Sequence, residues 1–100
     1  MVTIEVHGLG NGVRALSMAR KIVENLKEIP GSEDFLESQV RIVAVDDQSF
    51  DTSGKERPFI RLFYSSFPVS QQQIDRALEI LQSFCDVEVI DLYRFFTKTE

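Results

Sequence analysis

Few stretches of this chain hold residue types that do chemistry. Gly8-Leu9-Gly10-Asn11-Gly12 lies between an alternating run and an apolar-periodic one, where a dinucleotide-binding turn belongs. The third glycine of that fingerprint would stand at position 13, which is Val13, and no acid ends a second strand about 20 residues on. The run reads instead as a turn that caps a helix, whose amides at 11–14 can still hold a small anion. His7, the single histidine, stands directly before it. A metal site there would need partners, and Asp46, Asp47 and Asp51 are the acidic candidates, but they lack the spacing of a calcium loop. No metal and no cofactor are expected; His7 reads as solvated or singly hydrogen-bonded, and the acids as a solvated loop. Ser-His-Asp chemistry lacks its Gly-x-Ser-x-Gly elbow. Cys85 is the only cysteine, which excludes an internal disulfide; beside Phe84 and without a neighbouring cation, it reads as a small buried hydrophobe. Arg41 interrupts the apolar run Val40–Val45. A charge there must be paired, with an acid such as Glu5 or Asp91, or aimed at a cavity as an anion site. The ion pair is the favoured reading. Arg61, in Phe59–Tyr64, is a second cation able to meet a small carboxylate.

These residues need a scaffold, and the periodicities supply one. Val2, Ile4 and Val6 alternate with Thr3, Glu5 and His7 in a first strand. Asn11 is a plausible N-cap for a helix whose stripe is Leu16, Ala19, Val23 and Leu26, widened by Val13, Ile22 and Ile29 and stopped by Pro30-Gly31. An acidic connection at 32–38, with a helical turn at most, leads to a second strand at 40–45 that reads as covered on both sides. The 46–58 connection is longer than the usual loop, a length associated with function or mobility. The second half repeats the order: strand Phe59–Tyr64, a helix from about Gln71 to Phe84 opened by a Ser70/Gln73 capping box, then strand Val87–Phe96. Right-handed crossovers put both helices on one face of a four-stranded mixed sheet. The expected fold is a single α+β domain spanning 1–100, a two-layer sandwich of tandem βαβ units. A ferredoxin-like strand order, with the fourth strand beside the first, is the alternative. Because 59–64 and 87–96 are apolar-rich at odd and even positions alike, the helix-free face is expected to be an interaction surface, with a second copy as the economical partner.

Composition narrows the function classes. A net charge of −5 argues against a nucleic-acid binder. An RNA-recognition reading of Arg57–Tyr64 fails as well, since its glycine is missing and Thr3 stands where the first strand needs a ring. No apolar run approaches the ~20 residues of a membrane span, and no secretory pattern opens the chain, so a cytoplasmic location and no membrane partner are expected.

Met1-Val2-Thr3-Ile4-Glu5-Val6, Val40-Arg41-Ile42, Phe50-Asp51-Thr52-Ser53-Gly54 and Pro58–Tyr64 together resemble the tautomerase superfamily, the fold of macrophage migration inhibitory factor, in an uncharacterised bacterial branch. The resemblance spans nearly the whole chain. It implies a homotrimer whose sheets form an inner barrel, and isomerase chemistry: keto–enol proton transfer on small carbonyl acids. In that family an amino-terminal proline is the base, and an arginine holds the substrate carboxylate. Position 2 here is Val, so Val2 could serve only as a processed primary amine; in a chain that keeps Met1 its nitrogen is a peptide nitrogen and no base. Arg41 carries over as an anion-binding position, and Phe50 and Arg61 are further candidate binding residues of this chain. The expectation is an oligomeric tautomerase-like protein without proline-dependent activity that binds a small carboxylate, or else a regulatory or assembly module without catalysis.

Overall fold

The alternating first strand forms as expected. In the computed structural model, which describes residues 2–65 and 71–92, β1 spans Val2–His7, with Val2, Ile4 and Val6 buried. Gly8 and Gly10 then take positive φ and turn the chain into α1, Gly12–Leu26. Asn11 caps α1 as the sequence suggests: its side-chain oxygen accepts the Arg14 amide at 2.8 Å. The buried stripe of α1 is Ala15, Ala19, Ile22 and Leu26. That turns the expected stripe by roughly 50° about the helix axis: Leu16 is 45% exposed and Val13 79%. The small Ala15 and Ala19 let the helix sit close to the sheet, and the larger residues are left on its flank. The helix ends at Leu26, ahead of Pro30-Gly31, and the acidic connection contains a two-turn helix, α2, Glu33–Gln39.

Four strands follow the order β2-β1-β3-β4, where β2 is Val40–Ala44, β3 is Phe59–Tyr64 and β4 is Asp86–Asp91; α3, Gln71–Gln82, joins the last two. β1 runs parallel to β2 and antiparallel to β3, and β4 runs parallel to β3. The second strand therefore lies beside the first, as the tautomerase-like arrangement requires, and β4 stands at the far edge. This is the expected α+β two-layer sandwich. The Ser70 capping residue and the extension of the last strand to Phe96 lie outside the described residues.

Register decides which side chains face which way. Val2, Ile4 and Val6 pair with Tyr64, Leu62 and Ile60, and these six are buried with Ala15, Ile22, Leu26, Ile74 and Leu81 under the helices. Ile60, Leu62 and Tyr64 thus belong to the chain's own core. The other face, helix-free among the described residues, presents their alternates: Arg41 and Val43 from β2, Thr3, Glu5 and His7 from β1, Phe59, Arg61 and Phe63 from β3, and Asp86, Glu88 and Ile90 from β4. The face expected to carry large apolar side chains is mixed. Apolar Val43, Phe59, Phe63 and Ile90 surround a charged middle row, Glu5–Arg61–Glu88. β2 is an edge strand in which no residue is buried and Arg41 and Ala44 are exposed, so within this chain it is not covered on both sides as its composition suggested.

Candidate functional site

The chemistry concentrates where β1 ends. His7 is 8% exposed on the helix-free side. Its Nδ1 lies 2.7 Å from Asp47 Oδ2 and its Nε2 lies 2.9 Å from Glu5 Oε1. Glu5 reaches it because i and i+2 share a strand face. Asp47 reaches it because the chain leaving β2 passes the end of β1, held by Gly10 N–H donating to Asp47 O at 2.8 Å. Asp47 Oδ1 also accepts the Gly8 amide at 2.6 Å. Both partners of His7 are acceptors only when ionised, so the doubly protonated imidazolium is the form that satisfies both contacts. Phe59 stacks on the ring at 4.8 Å with the planes 3° apart. Arg61 lies over Phe59 at 5.2 Å and donates to Glu88 at 2.9 Å.

Electrostatics agree with the geometry. Burial pushes the His7 pKa down, but the hydrogen bonds to Asp47 and Glu5 and their charges outweigh it, and the net direction is up. Burial likewise pushes the Asp47 carboxyl up; the bonds from His7 and Gly8 and the His7 and Arg61 charges win and hold it below its usual range. The expected solvated or singly bonded histidine is therefore corrected to a buried, doubly bonded one. Its two carboxylates sit on opposite ring nitrogens and cannot converge on one ion with it, and among the described residues no group of three side chains is placed to hold a metal.

The 46–58 segment is an ordered arm. Gln48 bridges Leu9, Phe50 bridges Glu56, and Arg57 N–H donates to Ser49 O at 2.9 Å. Asp51 Oδ1 ties its tip by accepting from Ser53 and Lys55. Arg14 anchors it from α1, with two bonds to Glu56 and one to Leu9 O. Gly8 permits the close approach: a Cβ there would collide with Ser49 Oγ and press on the Pro58 backbone. Between the arm and the α3–β4 turn opens a cleft of about 820 Å³, lined by Phe50, Arg57, Phe59, Cys85 and Asp86 among others. Phe50 is 59% exposed there. Cys85 is half-buried, and burial followed by the Asp86 charge pushes its thiol up, away from the reactive thiolate.

The residues singled out from the sequence are not brought together. Val2 is 1% exposed between Val40 and Tyr64, at the opposite end of β1 from His7, roughly 16 Å away at strand rise. Arg41 lies one row in from Val2 and does not line the cleft that holds Phe50. Among the described residues the favoured ion pair is not formed: Arg41 donates to Thr3 Oγ1 at 3.3 Å, Glu5 is engaged by His7, and Asp91 stands on the far edge strand, about 14 Å across the sheet. An exposed guanidinium on an edge strand is solvated and needs no carboxylate. Arg61 lies in the middle row, paired with Glu88. What sequence reading missed is the pairing of Asp47 with His7; the one signal was an acid placed where the chain leaves a strand parallel to β1. Comparison with protein-family models and with curated proteins finds no match for this chain.

Proposed function

We propose that the protein is a tautomerase-like protein that assembles with copies of itself through the helix-free sheet face, does not use its amino-terminal amine as a base, and binds a small carboxylate at Arg41. The observation that carries this reading is the face itself, where half-buried Val43, Phe59, Phe63 and Ile90 frame a charged row on a sheet whose described helices lie on one side. A homotrimer is the form that the family resemblance implies. The burial of Val2 supports the second clause, because at 1% exposure between β2 and β3 its nitrogen is not open to a substrate. Arg41 supports the third: among the described residues its guanidinium makes one long bond, to a hydroxyl, and it stands at the sheet edge, where a neighbouring copy would complete a pocket. The alternative, an assembly or regulatory module without chemistry, shares the surface and differs in binding no carboxylate. Light scattering at micromolar concentration tests the assembly, and a monomer would overturn it. Titration of wild type and Arg41→Ala with small keto acids tests the ligand; equal affinity in the two would remove Arg41 from the site.

A further inference from the structure

The Glu5–His7–Asp47 cluster is more than a way of settling a histidine. A neutral imidazole carries one N–H and can serve only one of its two carboxylates. The geometry ranks them. Asp47 is the nearer, is fixed by the Gly8 amide and faces the Arg61 charge, whereas Glu5 makes its one side-chain hydrogen bond to His7. We propose that His7 is a proton-operated latch: charged, it holds Glu5 flat against β1 and Asp47 at the strand end; neutral, it keeps Asp47 and releases the Glu5 carboxylate. On deprotonation the Nε2 lone pair would face Glu5 Oε1 across 2.9 Å, two acceptors that repel. Glu5 then turns outward into the helix-free face between Val43 and Arg61. Arg61 holds Glu88 through Nε alone and Arg57 holds Asp86, so the released carboxylate competes with Glu88 for Arg61, and the face gains one net negative charge as His7 loses its proton. The stacked Phe59 ring favours the charged imidazole through its negative π-face. On the reading of this face as the self-association surface, the released charge opposes assembly, so assembly is tighter when His7 is protonated.

With one histidine in the chain, the imidazole ¹⁵N signals of the full-length protein are unambiguous. The latch predicts a titration midpoint above the ordinary value of about 6.5, and a neutral form with its proton on Nδ1. Glu5→Gln should lower the midpoint and leave that proton in place, and Asp47→Asn should move it to Nε2. A midpoint at or below the ordinary value, or a neutral wild-type form protonated on Nε2, overturns the latch. Sedimentation reads the consequence: between about pH 6 and about pH 8.5 the dissociation constant should rise up to about tenfold in wild type and stay flat in Glu5→Gln. Wild-type association that does not change with pH overturns the coupling. A monomer throughout, with the nitrogen signals as expected, overturns the assembly reading and leaves the latch standing.

Discussion

At the position of His7 one proton satisfies two carboxylates, and this sets how the fold should respond to pH. The folded His7 pKa is raised, so its contribution is fully present below the unfolded value of about 6.5 and is lost as pH rises through the folded value. Asp47, held low, contributes above its unfolded value of about 3.9, and that part is lost as pH falls through its folded value. Urea titrations should therefore find the stability advantage of wild type over His7→Asn largest between these limits and shrinking above neutrality; an advantage that grows with pH would contradict the cluster. Gly8 is the second residue on which this corner depends. It sits at φ 85°, and an added Cβ meets Ser49 and Pro58. Gly8→Ala should cost about 1–3 kcal/mol in denaturant unfolding, from backbone strain plus the displaced arm.

For the elements, α1 offers a sharp comparison. Ile22 is fully buried against the sheet while Leu16, assigned to the same stripe by periodicity alone, is on the flank. Ile22→Ala should cost about 2–5 kcal/mol, the range for a lost core aliphatic, and Leu16→Ala less than about 1 kcal/mol. Equal costs would mean that α1 sits rotated from the orientation described. The arm at 46–58 depends on contacts that are individually exposed. Loss of the Arg14 anchor should leave global stability nearly unchanged while speeding amide exchange and proteolytic nicking between Gln48 and Arg57. Unchanged exchange in Arg14→Ala would show that the Leu9–Gln48 bridge holds the arm alone.

At the scale of the whole molecule, the proposed assembly turns on the helix-free face. Phe63→Glu introduces a charge between Thr3 and Ile90 without touching the core under the helices. It should give a folded monomer by light scattering with an unchanged circular dichroism spectrum; an intact oligomer would place the contact elsewhere. Protein that retains Met1 should show negligible enol–keto turnover on phenylpyruvate-type substrates, because the Val2 nitrogen is then a buried amide. Turnover abolished by His7→Ala would move the chemistry to the other end of β1.

By itself the sequence determined the strand–helix–strand order, the Asn11 cap and the inward set of β1. Those are local matters: a period of 2 or 3.6 residues and a capping side chain are written in neighbouring positions. Tertiary structure decided the rest. That β2 is an edge strand, which lets Arg41 rest in solvent, depends on which strand β1 chooses as its second neighbour. The exact face of α1 depends on how closely Ala15 and Ala19 approach the sheet. Above all, Glu5, His7 and Asp47 meet across 40 residues of chain only because β2 runs parallel to β1 and delivers its exit to the same end. Side chains that recognise one another at such a distance leave no periodic trace, since their spacing is set by the path of the backbone between them.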